Sequence, residues 1–294
     1  MNKSDSKNYV VAKESDGTVQ ITFTIDWDTI SKNQSKALEE LGKDIEVPGF
    51  RKGNAPPDKV KQNVSNEKLV EKTLSGILPK MLSDALVSEK IKPSIFPKFE
   101  LEKANEGEDW QVRAILCEIQ PFKLGEYKTK IKDLLSQPKI WTPGSGKPEE
   151  KNEELKRSEK EQKIIELILG SIELTVPTIL INEEVNTRLS QLLAQIEKLG
   201  LTLDGYLSSI GKNAQIVRDE YAKQAEDTLK IELILERISI EEKLNVTDAD
   251  VDEAVKASSS DPKVQENLNS TEQRNLIKVI LMRRKALDFM LSLT

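Results

Sequence analysis

Stretches in which apolar residues alternate with polar ones at a period of two are confined to the residues before Ile119, apart from a brief one over Ile172 to Pro177; the other apolar positions recur every third or fourth residue. A period of two fits a strand with one face on a core, and a period near 3.6 fits an amphipathic helix. A chain that segregates the two folds as an α+β domain followed by a helical one. Val19, Ile21, Phe23 and Ile25 alternate with Gln20, Thr22, Thr24 and Asp26, which predicts the first strand. Helical spacing follows through Ile30, Ala37, Leu38, Leu41 and Ile45, then over a short basic segment at Asp58 to Gln62, then from Asn66 to Glu89 with Pro79 as a point of kinking. Strands at Ile95 to Lys103 and Trp110 to Ile119, joined through Asn105-Glu106-Gly107, complete an antiparallel sheet.

Composition narrows the chemistry. The chain of 294 residues has no histidine, which removes Ser-His-Asp and Cys-His catalysis and the commonest metal ligand. Aromatics make up 4% and charged residues 32%, so the core must be built from Leu, Ile, Val and Ala. The lone Cys117 lies in a strand and is read as a buried, inert thiol suited to a reducing compartment. The polar start Met1 to Lys7 leads into no apolar run, and the most apolar window, Ile164 to Ile181, is broken by Glu166, Glu173 and Pro177. A cytoplasmic protein with no membrane span is expected. No Walker-type loop or GxGxxG turn is present, so no nucleotide and no other cofactor is expected.

Between two helical stretches lies Val47-Pro48-Gly49-Phe50-Arg51-Lys52-Gly53-Asn54-Ala55-Pro56-Pro57. Prolines fix φ and remove donors while glycines permit left-handed turns, so the segment is read as a rigid loop. It carries two positive charges and no acid in a chain of net charge −6. Either Phe50 tucks into the core at a connecting turn, or Phe50, Arg51 and Lys52 form an exposed tip that docks on a polyanionic surface.

The run Gly49-Phe50-Arg51-Lys52-Gly53, followed by Pro56, resembles the ribosome-docking signature of bacterial trigger factor. The strand, helix, loop, helices, hairpin order before Pro121 is similar to that family's N-terminal domain. In the complete family a prolyl isomerase domain comes next. Residues 121–148 hold only 28 residues, rich in proline and glycine, against about 50 for a domain. They are read as a linker in its place, and isomerase activity is not carried over.

From Glu149 to Lys163 eleven of fifteen residues are charged, a solvated helix or frayed lead-in with Glu153–Arg157 and Glu159–Lys163 as i,i+4 pairs. After Pro177, a helix is predicted with Asn182 as N-cap and Gly200 as terminator, then a short one at Leu203 to Ile210 stopped by Gly211, and a long one over Ala214 to Lys243. Thr247 to Asp250 reads as a helix opening of the capping-box kind, and Ser270 to Gln273 opens the last helix. The stretches Leu174 to Val185 and Leu244 to Val251 resemble the family's C-terminal domain, a helical body with protruding arms.

The expected division is therefore residues 1–120 as an α+β ribosome-binding domain, 121–148 as linker, and 149–294 as an elongated all-α domain that holds clients. The resemblance implies an ATP-independent chaperone without catalytic residues or metal. It would dock through Gly49, Phe50, Arg51, Lys52 and Gly53 on the large ribosomal subunit near the exit tunnel, touching ribosomal protein and rRNA. Its clients would be unfolded nascent chains, with no membrane or DNA partner. Two other readings stay open: a prolyl isomerase by family label, and a free helical chaperone or scaffold whose Pro/Gly loop is structural. Spacing alone does not separate helix stripes that form mutual core from stripes that face a client.

Overall fold

The computed structural model describes residues 8–136, 153–258 and 268–293, except for the side chains of Glu153 and Glu154. It divides into two units: Met1–Ile119 with Pro177–Leu180, and Gln120–Val176 with Ile181–Thr294.

In the first unit β1 (Tyr9–Lys13), β2 (Thr18–Ile25), β3 (Lys98–Lys103) and β4 (Trp110–Cys117) form one antiparallel sheet in the order β1-β2-β4-β3. The register pairs Ile21 with Ala114, Phe23 with Val112 and Ile25 with Trp110. Opposed residues share a face, so the alternation of β2 and that of β4 fall on the same side, and all six side chains are buried. Onto them packs α3 (Asn66–Glu89) through Val70, Leu74, Ile77, Leu78, Leu82 and Ala85, with Pro79 inside the helix and not ending it. The layer is completed by α1 (Trp27–Asp44) and α2 (Pro57–Asn63). Asp26 caps α1, its carboxylate accepting from the Thr29 N–H at 2.8 Å, and Ser65 caps α3.

Strand β1 is not marked in the sequence. Only Tyr9 and Val11 reach the core while Val10 is exposed, the weak pattern of a short edge strand. Strand β4 ends at Cys117, short of the expected Ile119: the Glu118 N–H still donates to the Gly17 carbonyl at 2.9 Å, but the Ile119 N–H turns to the Ser94 hydroxyl at 3.3 Å. Strand β3 starts at Lys98, not at Ile95. Cys117 is buried, as its place in a strand suggested.

In the second unit, α4 (Tyr127–Ser136) occupies part of the stretch read as linker. Tyr127 and Ile131, one turn apart, are both buried. The proline and glycine content of the residues after it hid this pair, and residues 137–148 lie outside those described. Glu242 anchors the helix, accepting from the Tyr127 hydroxyl at 2.9 Å and the Lys128 Nζ at 2.6 Å. Burial and the Glu242 carboxylate push the Tyr127 hydroxyl well above its ordinary pKa. The unit continues with α5 (Glu153–Ser171), α6 (Thr178–Lys198), α7 (Leu203–Ser209), α8 (Ala214–Glu241), α9 (Asp248–Ser258) and α10 (Thr271–Leu291), where the first residues of α6 are those assigned to the first unit. Ile164, Ile168, Ile234, Ile238, Ala286 and Met290 are buried where α5, α8 and α10 pack together. The Glu153 side chain expected to pair with Arg157 lies outside those described; among the described residues Arg157 pairs with Glu161 and Asp288.

The predicted helix stops and caps fall where expected at Gly200 (φ +69°), Gly211 (φ +65°) and Ser270, and Thr247 and Asp250 bond reciprocally as a capping box. Asn182 is the exception. The α6 helix begins four residues earlier, at Thr178, so Asn182 lies inside it. Pro177 cannot cap a helix with its side chain, and the carboxylate of Asp16, 162 residues away in sequence, accepts from the Thr178 N–H at 2.8 Å instead. The same carboxylate accepts from the Thr18 N–H at 2.8 Å and the Thr18 hydroxyl at 3.1 Å. Partial burial opposes ionisation, but the bonds from Thr178 and Thr18 outweigh it and lower the Asp16 pKa from 3.8 to about 2.

Two tests follow from this turn. A folded-state pKa below the unfolded value means that the unfolded chain binds the proton more readily, so the contribution of Asp16 is full above about pH 4 and lost as pH falls toward 2. Asp16→Asn should lower the melting temperature at pH 7, by an amount equivalent to about 1 kcal/mol after solvent screening, and the gap to the unaltered protein should narrow between pH 5 and 2.5. Next to it, a Cβ on Gly17 (φ +94°) would lie 2.2 Å from the Glu118 carbonyl oxygen, whereas one on Gly107 (φ +85°) would touch nothing within 4 Å. Gly17→Ala should cost at least ~2 kcal/mol and Gly107→Ala only about 1 kcal/mol in chemical denaturation.

Candidate docking loop

The chain leaves α1 at Ile45 in an extended conformation and re-enters helix at Pro57. What fixes the segment between them is a small apolar cluster: Ala37, Leu38 and Leu41 of α1, Val60 of α2 and Leu69 of α3 enclose Val47, with Ile45, Ala55 and Val64 at its edge. Gly42 allows the close approach of α1 and α2, since a Cβ there would stand 3.1 Å from Val60 Cγ2. Pro57 occupies the first turn of α2, where its missing N–H costs nothing. Thus both ends of the loop are pinned, at Val47 and at Ala55.

Between the pins the backbone makes two successive tight turns. The Phe50 N–H donates to the Val47 carbonyl at 3.0 Å with Gly49 at φ +86°, and the Asn54 N–H donates to the Arg51 carbonyl at 2.9 Å with Gly53 at φ +86°. A bond from residue i+3 to residue i with positive φ at i+2 is the pattern of a type II turn, and Pro48 at i+1 of the first presets its φ. Phe50 is 42% exposed at the junction of the turns. Arg51 and Lys52 are exposed and have no ion pair among the described residues, whereas Lys61, further along α2, is held by Glu106 at 2.6 Å. All five residues singled out in the sequence, Gly49, Phe50, Arg51, Lys52 and Gly53, therefore sit together on one protruding element, and Phe50 is not part of the core.

The loop offers a ring edge, two cations and backbone groups, and no nucleophile or acid–base pair. Among the described residues no group of His, Cys, Asp or Glu is placed to hold a metal ion, and no helix is long and apolar enough to cross a membrane.

The second unit holds apolar surface that spacing did not resolve. The α10 stripe splits: Ala286 and Met290 are buried, Ile277 and Leu281 pack against Val246, Val251 and Val255, and Leu276, Val279 and Ile280 are left exposed. Beside them Ile240 of α8 is 62% exposed. A signal for this was present, since Leu276, Ile277, Val279, Ile280, Leu281 and Met282 fall on more than one helix face. A smaller apolar recess of about 240 Å³ is lined by Leu189, Leu193, Leu203, Leu207 and Val217 of α6, α7 and α8.

Comparison with known proteins matches residues 8–139 to the model described as bacterial trigger factor protein and residues 145–292 to that of the trigger factor C-terminus. Over 108 residues the chain is 37% identical to the trigger factor of Limosilactobacillus reuteri (strain DSM 20016) and 35% identical to that of Enterococcus faecalis (strain ATCC 700802 / V583). That match takes in 37% of this chain and 25% of each relative, so it spans about a quarter of their length. A solved structure reported under promiscuous substrate recognition in folding and assembly by the trigger factor chaperone shares the fold, with a TM-score of 0.57 at 14% identity over 96% of this chain and 99% of that one.

Proposed function

The chain belongs to the trigger factor chaperone family, and from that premise we propose that it is an ATP-independent, ribosome-associated holding chaperone of the cytoplasm. It docks through Gly49 to Gly53 on the large ribosomal subunit near the exit tunnel and shields nascent chains during folding and export. The observation that carries this reading is the pair of glycine turns, pinned by Val47 and Ala55, that hold Phe50, Arg51 and Lys52 out of the core. A preorganised ring beside two cations suits a shallow apolar depression flanked by rRNA phosphate or an acidic side chain of a ribosomal protein, and it avoids the entropy of ordering a floppy loop on binding. Client holding falls to exposed apolar side chains such as Leu193, Ile240, Leu276 and Ile280, whose non-directional contacts suit partners of varied sequence.

Prolyl isomerase activity is not part of the proposal. The two family matches leave only residues 140–144 between them, far fewer than the roughly 50 residues a domain requires.

Replacing Phe50, Arg51 and Lys52 together by alanine should abolish co-sedimentation with ribosomes while changing stability by less than about 0.5 kcal/mol. Val47→Ala, at a buried position, should instead cost roughly 2 kcal/mol. Binding by the unaltered protein should weaken as salt shortens the screening length from about 10 Å at 0.1 M to 3 Å at 1 M. A triple variant that still pellets with ribosomes removes the docking assignment and leaves a chaperone that is not ribosome-bound. The full chain should also leave the spontaneous exchange of an X-Pro peptide, on the order of tens to hundreds of seconds, unaccelerated; catalysis in a preparation free of contaminating isomerase contradicts that.

A further inference from the structure

The exposed faces of α8 and α10 enclose a groove of about 720 Å³, comparable to a small-ligand site. Its lining is mainly apolar, with Ile240, Leu244, Val279 and Met282, and Asn245 and Asn275 add two amides. The one hydroxyl there, on Ser239, is already spent, donating to the Leu235 carbonyl at 2.8 Å. Apart from bonds to the two amides, an occupant therefore gains chiefly from inserting apolar side chains.

The rim has a different character. Lys243 and Lys278 line it and have no ion pair among the described residues. Arg283 adds a third cation, with one guanidinium nitrogen 2.9 Å from Glu232 and its Nε buried without a partner. Glu236 is the single acid lining the groove. Lys243 is held at φ +54°, just past the end of α8, so its backbone position is fixed by the helix stop. A net cationic rim around a mainly apolar lining contrasts with the net charge of −6 of the whole chain.

We infer that this groove selects, among unfolded client segments, those whose apolar residues recur at helical spacing and are flanked by carboxylates. Two packed helices with a trough between them suit an amphipathic segment laid in with its apolar face down, and the flanking acids then reach Lys243 and Lys278. The inference rests on the holding-chaperone reading and adds to it a preference by charge.

The test uses the full chain and two labelled peptides with leucines at i, i+3, i+4 and i+7, flanked in one by glutamates and in the other by lysines. Fluorescence anisotropy should show the glutamate peptide binding about tenfold more tightly at low salt. Lys243→Glu with Lys278→Glu, both on the rim and outside the core, should invert that preference, and Val279→Asp should weaken both peptides. Equal binding by the unaltered protein, or a preference that the double charge reversal leaves in place, overturns the inference. So does self-association of the chain that Val279→Asp abolishes while neither peptide binds, since the groove is then a face between two copies. Suppression of aggregation of a diluted unfolded protein, measured on the same samples, separates the two levels. Full suppression without peptide preference sinks only the charge selection, and no suppression sinks the holding function beneath it.

Discussion

A single carboxylate ties the first unit to its most distant segment in sequence. Asp16 sits in the turn between β1 and β2, and its oxygens take the N–H groups of Thr18 and Thr178. The second bond replaces a local cap that Pro177 cannot supply, and it brings Pro177–Leu180 into a unit otherwise complete by Ile119. The neighbouring Gly17 works on the other side of the turn, accepting from the Glu118 N–H at a distance that leaves no room for a Cβ. One tight turn thereby fixes where β2 begins and where α6 starts. Because β2 and β4 pair over eight residues from that point, the turn also sets which side chains face α3; a slip of one residue would move every one of them to the other face.

The Gly49 to Gly53 loop is a consequence of how this unit spends its few large side chains. Phe23 and Trp110 are fully buried within the sheet layer, where each aromatic ring contributes most by filling volume. Phe50 is placed where burial in the core is prevented by geometry: the cluster around Val47 closes before the chain reaches it, and two turns with positive φ carry it outward. In the proposed docking the turns have already fixed the backbone, so little entropy remains to be lost on binding.

What could be read in the sequence was whatever depends on neighbours in the chain. The alternation of Val19 to Ile25, the full span Asn66–Glu89, the reciprocal cap of Thr247 and Asp250 and the stops at Gly200 and Gly211 are local devices, as is the Gly49 to Gly53 loop, whose five residues the fold keeps together. What could not be read depends on distant partners. The start of α6 is decided by Asp16, and α4 is stabilised by Glu242, 115 residues away from Tyr127. Strand β1 has too few buried positions to show a period, because an edge strand borrows its core from the strand beside it.

The helix α10 poses the remaining problem, since it carries more apolar side chains than its neighbours cover. Ala286 and Met290 serve the contact with α8 and α5, Ile277 and Leu281 serve α9, and Leu276, Val279 and Ile280 serve neither. A helix built only for stability would gain from polar residues at those three positions, which would remove an aggregation hazard at no loss of core. Exposed beside Ile240 and bordered by Lys243 and Lys278, they form the surface to which the proposed function assigns clients. The surrounding composition makes that tolerable. With 32% of its residues charged and a net charge of −6, the chain repels copies of itself, so weak apolar attraction is opposed between like molecules yet available to a segment that matches the local cationic rim.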